Sequence, residues 1–291
     1  MWFTIKISMK RITFIPVGGL GNRMRSIAAA LTLANKTTHD LRVFWFRDWA
    51  LCCRFDELFC PLPDTLFTLV EGGLTDSIRY DRPRLRNLFI PALYQQATFN
   101  RCLYEHKVHR YSREHFNFEQ WATANSCYLA SYSAFYPVAP TLYAQLFQPI
   151  PPIEREIKRR CSAFSAHTVG IHIRRADHVV AIKESPIELF IEKMEEEIQL
   201  YPSTKFYVAT DSEVDREKLQ AHFGERILTS PFQADRNSKE GIQDAVADLY
   251  TLSQTCKIYG SMQSTFSLMA SWLRGVDCIV LQQQHPQEVI E

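Results

Sequence analysis

Apolar and polar positions along this chain repeat in the order strand, turn, helix. Residues 12–17 (ITFIPV) form an apolar run that reads as a first strand, ended by Gly18-Gly19-Leu20-Gly21-Asn22-Arg23. Met24, Ile27, Ala28 and Leu31 then recur at helical spacing, and residues 41–46 (LRVFWF) read as a second strand. From Phe89 to Phe147 the chain is rich in aromatic rings, which fill cores more often than they build sugar platforms. Pro149-Ile150-Pro151-Pro152 stiffens the backbone and predicts a linker, hence domains over 1–150 and 151–291.

Beyond the prolines the alternation becomes regular. Residues 153–164 read as a helix, and in 168–173 Val169, Ile171 and Ile173 alternate with small or polar residues, as in a strand. Ser185 as N-cap, Pro186 at the first helical position and Glu188 closing a capping box predict the next helix. Its buried face is Ile187, Phe190, Ile191, Met194 and Ile198. Strands follow at 206–209, 226–229, 257–260 and 277–281, with helices after Asp211-Ser212 and over 240–254 and 266–274. Such alternation predicts an α/β fold with a parallel, doubly wound sheet.

Composition narrows the function classes. With 46% hydrophobic and 22% charged residues in 291, the chain has a substantial core. A formal net charge of +1 gives no global field toward nucleic acid, so any anion site is local. RYDRPRLR at 79–86 accordingly reads as a solvated loop held open by Pro83. The eight cysteines show neither CxxC nor metal-ligand spacing, which suits a reduced, cytoplasmic setting. Lys10-Arg11 interrupts the apolar N-terminus, predicting neither a secretory signal nor a membrane span.

Candidate chemistry gathers where strands of the second half end, the edge at which open α/β sheets bind ligands. Arg174 and Arg175 follow the strand 168–173, and a guanidinium fork matches phosphate oxygens well. His172 and Asp177 flank them, giving a candidate diphosphate clamp. Asp211 and Ser212 end the next strand. Ser264-Thr265 open a helix where a phosphate can sit. Asp248 lies upstream, a candidate acceptor for a guanine edge. The turn at 18–23, with Arg23 and Arg25, is a weaker anion-binding candidate.

Four ordered segments carry a family likeness. GGLGNRMRS (18–26), HIRRAD (172–177), FYVATDSE (206–213) and DLYTLSQ with STFSLMASWL (248–273) together resemble the inverting fucosyltransferase superfamily. That group contains the α1,2- and α1,6-fucosyltransferases, the nodulation fucosyltransferases and the protein O-fucosyltransferases. YLASYSAFY (128–136) is similar to the segment before their interdomain link. The resemblance implies a GT-B-like architecture, two Rossmann-like doubly wound domains facing across a cleft. The N-terminal domain would lie on the acceptor side, and the C-terminal one would bind the nucleotide sugar. It implies transfer of fucose from GDP-fucose to a hydroxyl of a glycan or lipid-linked oligosaccharide, with inversion and no required metal or other cofactor. Arg174 would contact the diphosphate and stabilise departing GDP, while His172, Arg175 and Asp177 shape the pocket; Asp211 remains a donor-binding candidate from its place at the strand end. Asp248 would face guanine. Ser264, Thr265 and Phe266 would line the phosphate and nucleoside site, and Asn22 would approach from the opposite wall. Asp177 and Glu184 are both candidates for the general base. The α1,2 enzymes usually have glycine where Ala176 stands and glutamine where Arg23 stands, which leaves linkage open. Two alternatives stay open: the same fold using another nucleotide sugar, or a nucleotide-binding protein without turnover. The expected location is cytoplasmic, with a peripheral place at the inner face of a membrane as an option.

Overall fold

The computed structural model describes residues 10–175, 179–232 and 235–283. The chain divides into two compact units, Met1–Gln148 and Pro149–Glu291. In the first, β1 (Arg11–Pro16), α1 (Leu20–Lys36), β2 (Asp40–Trp45) and β3 (Thr68–Glu71) are followed by α2 (Leu74–Tyr80) and α3 (Ile90–Thr98). Then come β4 (Arg101–Leu103), α4 (Glu105–Arg113), α5 (Phe118–Trp121), β5 (Ser126–Ser131) and α6 (Thr141–Leu146). The second unit opens with α7 (Pro151–Cys161), β6 (Thr168–Ile173), α8 (Val179–Glu184), α9 (Ile187–Leu200) and β7 (Lys205–Thr210). It closes with α10 (Glu213–Phe223), β8 (Ile227–Thr229), α11 (Lys239–Leu252), β9 (Ile258–Ser261), α12 (Thr265–Arg274) and β10 (Cys278–Leu281).

Each unit is a Rossmann-like five-stranded sheet, ordered β3-β2-β1-β5-β4 in the first and β10-β9-β6-β7-β8 in the second. Every ladder is parallel. Strands buried on both faces suit that pattern, and all six residues of β6 are buried. On one face of the second sheet Val169, Ile171, Ile173, Phe206 and Val208 pack with Phe190 and Met194 of α9 and Leu219 of α10. The other face carries Gly170, which lies under α11: a Cβ there would meet Thr255 Oγ1 at 2.7 Å and Leu252 at 3.1 Å. His172 and Tyr207 share that face by the two-residue period of the strands. β6 is the central strand, so residues just past Ile173 emerge in the middle of the carboxyl edge.

Three expectations change here. Pro151 and Pro152 do not form a linker; they occupy the first positions of α7, where a missing N–H costs nothing. Ser185 is not a helix cap, because Pro186 takes that place without a side-chain bond. The buried Ser185 hydroxyl instead donates to Leu281 O at 2.5 Å and accepts from Met262 N at 2.8 Å, tying three segments together. Residues 79–86 are not a solvated loop either. Asp81 is buried and accepts from Arg84 at 2.6 Å, while buried Gln95 donates to Asp81 O at 2.9 Å.

Candidate active site

The carboxyl edge of the second sheet is organised by Asp211, which follows β7. Its Oδ1 accepts from the backbone N–H of Arg175 at 2.6 Å, and its Oδ2 accepts from the Arg174 guanidinium. The Arg174 N–H donates to Ser261 Oγ at 3.0 Å, so β7 and β9 both hold the backbone where it leaves β6. Arg175 Nε donates to Asp215 Oδ2 at 2.7 Å, in the first turn of α10. Both arginine side chains remain partly exposed, at 20% and 14%. The result is two adjacent, oriented cations at a strand end, each with a carboxylate that fixes it. Charge-assisted bonds of this kind give geometric as well as energetic definition.

Next to them begins α12. Ser264 is its N-cap residue, yet makes no capping bond, and no acidic side chain occupies the first turn. Its hydroxyl hydrogen-bonds His172 Nδ1 at 3.3 Å. The His172 ring stacks on Phe266, with centroids 4.8 Å apart. Burial, and secondly the Arg174 charge, push the imidazole down to about 3, so it is neutral at physiological pH. The open helix start is a place where backbone N–H groups and the helix dipole favour an anion.

Asp248 belongs to a different cluster on the same sheet face. Its Oδ1 accepts from Arg160 at 2.7 Å and from Tyr207 Oη at 2.5 Å. Arg160 also bonds Glu156 at 2.8 Å and pairs with buried Asp244, whose carboxylate accepts from Ser230 Oγ at 2.9 Å. Burial outweighs the arginine and lifts Asp248 to about 7. His172 and Asp248 therefore pull stability in opposite directions. Below 6.5 the unfolded chain protonates the histidine and the folded one refuses until about 3, so stability falls as pH drops. Between 3.8 and about 7 the folded chain holds a proton on Asp248 that the unfolded one releases, so stability falls as pH rises. Relative to wild type, His172→Gln should gain about 1.4 kcal/mol for each pH unit lowered through this window, and Asp248→Asn should gain as much for each unit raised. Urea unfolding at several pH values checks both, and parallel curves for wild type and variants would refute the assignment.

The structure thus brings His172, Arg174, Arg175, Asp211, Ser264 and Phe266 into one hydrogen-bonded and stacked group, with Thr265 as the first residue of α12. Glu184 ends α8, and its backbone carbonyl accepts from Gln283 N at 2.8 Å, just past β10. Asp177 lies outside the described residues. Asn22 sits in the first unit on the first turn of α1, after Gly18 at φ +86, with a buried side-chain Oδ1 that has no hydrogen-bond partner. Arg23, read as a candidate anion ligand, is fully buried and structural. It donates to Gly18 O at 2.7 Å, Phe46 O at 2.6 Å and Asp48 at 3.0 Å, and lies over Trp45. Sequence reading missed Asp215 and Ser261. Ser212 caps α10 and Asp215 stands three residues on in its first turn, a capping-box spacing that marks this turn. Nothing in the sequence singles out Ser261.

No family model matches the sequence, and no curated protein matches it. The fold does have solved counterparts. NodZ α-1,6-fucosyltransferase soaked with GDP-fucose, an enzyme solved from Bradyrhizobium, matches with a TM-score of 0.63 at 17% identity, over 91% of this chain and 92% of its own. A mutant of Arabidopsis thaliana FUT1 in complex with GDP matches with a TM-score of 0.62 at 17% identity, over 96% of this chain and 71% of its own. POFUT1 in complex with GDP-fucose matches with a TM-score of 0.55 at 15% identity, over 95% and 99%. These are members of the superfamily that the four sequence segments resemble.

Proposed function

We propose that this chain is a metal-independent, inverting fucosyltransferase that takes fucose from GDP-fucose to a hydroxyl of a glycan or lipid-linked oligosaccharide. The observation that carries the reading is the pair of carboxylate-held guanidinium groups at the end of β6, beside an uncapped helix start. It stands on a fold shared with proteins solved with GDP or GDP-fucose. The second unit would hold the donor and the first would face the acceptor. Arg174 meets the diphosphate, with Arg175, His172 and Asp211 shaping the pocket. Ser264, Thr265 and Phe266 line the phosphate and nucleoside. Asp248 offers guanine its Oδ2, since Oδ1 is engaged by Arg160 and Tyr207.

As the bond from the anomeric carbon to the diphosphate oxygen lengthens, positive charge grows on the sugar ring and negative charge on GDP. A fixed arginine facing that oxygen supplies about 3–4 kcal/mol of transition-state stabilisation. It takes the part that a divalent cation has elsewhere. The acceptor hydroxyl attacks from the opposite face, which inverts the centre, and a carboxylate, Asp177 or Glu184, takes its proton. The protein would work in the cytoplasm, peripheral to the inner face of a membrane.

A thermal-shift series with GDP, GDP-fucose, GDP-mannose, UDP and ADP tests the donor site. A ligand at a hundred times its dissociation constant stabilises by about 2.7 kcal/mol. GDP and GDP-fucose should raise the melting temperature and UDP and ADP should not. Equal shifts with UDP or ADP, or none with GDP, would discard the reading.

A further inference from the structure

In the first unit, the hairpin formed by α2, the turn at residues 81–89 and α3 partly reverses the usual arrangement. Some of its polar side chains point inward, although Thr75, Arg79, Arg86, Gln96 and Thr98 stay exposed. Gln95 is fully buried and donates to Arg79 O and Asp81 O, Asp81 is buried against Arg84, and Asn87 donates to Arg82 O at 2.9 Å. Tyr80 packs inward on Phe44, but most of its large aliphatic side chains point outward. Leu74 and Ile78, one helical turn apart on α2, are 88% and 59% exposed; Leu85 and Leu88 of the turn are 78% and 75% exposed; Leu93 of α3 is 73% exposed. Ile78, Leu88, Ile90 and Pro91 line an open cavity of about 380 Å³ together with polar groups that include Asp81 and Arg86. Exposed apolar side chains gathered on one hairpin mark a contact with something other than water.

Backbone strain holds the display in place. Leu88 and Phe89 are consecutive bulky residues in the left-handed region, at φ +48 and +57, where asparagine or glycine would be comfortable. Such strain persists where the surroundings over-determine it, and it gathers at sites with a role. Here it turns Leu88 and Phe89 out toward solvent.

Charge selects the occupant. Arg79 and Arg86 are exposed among these apolar side chains, whereas Asp81 is buried, bonded to Arg84 and 3.8 Å from Arg86, and Asp76 is half-buried at the start of α2. Apolar side chains flanked by exposed arginines fit the interface of an anionic bilayer, with rings and aliphatic chains below the headgroups and guanidinium groups on the phosphates.

We infer that the α2–α3 hairpin is the surface by which this protein docks on an anionic lipid membrane. The inference rests on the peripheral placement proposed above and not on the transfer chemistry, so the two fail separately. The test is flotation of the full chain, without nucleotide, on vesicles of phosphatidylcholine alone and of phosphatidylcholine with phosphatidylglycerol. The wild type should float with the mixed vesicles, at least about tenfold more than with the neutral ones, and added salt should weaken it. Arg79→Glu with Arg86→Glu should remove that preference. Leu88→Asn with Phe89→Asn should lower the bound fraction about tenfold while leaving the melting temperature unchanged or higher, because asparagine accepts the left-handed backbone. Failure to float with either vesicle, equal flotation with both, or full flotation of the asparagine variant would overturn the inference. A dimer by sedimentation velocity that the asparagine variant abolishes would give the face to a second copy instead. In each of these cases a GDP-induced thermal shift would stand untouched.

Discussion

Arg174→Ala should lower fucosyl transfer by roughly two to three orders of magnitude, as loss of one well-placed donor does at an oxyanion site, while the protein stays folded. Folding survives because the local backbone does not depend on this side chain. The Arg174 N–H stays on Ser261 Oγ, and Asp211 keeps the Arg175 N–H at 2.6 Å when the guanidinium is gone. The removed side chain is one-fifth exposed, so no deep cavity opens. The effect should fall more on kcat than on donor affinity, because charge on the diphosphate grows only as the sugar departs. Arg174→Lys separates charge from fork. It keeps one cation and loses the planar pair of donors, so it should recover part of the binding and little of the rate. A folded alanine variant, checked by circular dichroism, that transfers at the wild-type rate would remove Arg174 from the chemistry.

How much of this site was legible follows from which of its contacts are local. Arg174 and Arg175 stand out because a strand read from period-two alternation must end just before them. Their partners do not. Asp211 and Asp215 lie 36 to 40 residues away and meet the arginines only because β6 pairs with β7 in one register, His172 beside Ala209. Ser185 shows the opposite failure. Ser-Pro-Ile-Glu is a sound local start for a helix, but the hydroxyl is drawn into a bond with Leu281, 96 residues on, since a buried donor has to find an acceptor. Aromatic-rich 89–147 hides β5 in the same way. Cys127 to Ala130 are buried on both faces, so this interior strand has no polar alternation to betray it. The outward-facing leucines of the α2–α3 hairpin defeat pattern reading altogether, because they reverse the rule on which it rests.

The largest stability effect should come from Arg160, a residue that touches neither the arginine pair nor the start of α12. One guanidinium there serves Glu156, Asp244, Asp248 and the Tyr207 hydroxyl from an almost fully buried position. Replacing it with methionine keeps the volume and leaves two poorly solvated carboxylates, Asp244 and Asp248, without the cation that bonds both. Breaking a buried pair from one side costs about 3–5 kcal/mol. The sign of the pH dependence identifies the cause. Asp248 already sits near 7 with the arginine present, and removing an attracting charge raises a carboxylate further. In the variant, folded Asp248 therefore holds a proton that the unfolded chain releases above its ordinary carboxylate range. The folded state is least hurt below that range and loses stability as pH rises through neutrality. Arg160→Met should accordingly lie close to wild type near pH 5 and far below it near pH 8, by urea unfolding followed by circular dichroism. Adding Asp244→Asn and Asp248→Asn should return most of the loss at pH 8, because no charge is then stranded. A deficit that stayed constant across this pH range, or that the asparagines failed to relieve, would mean that Arg160 stabilises by packing and not as the counterion of α11.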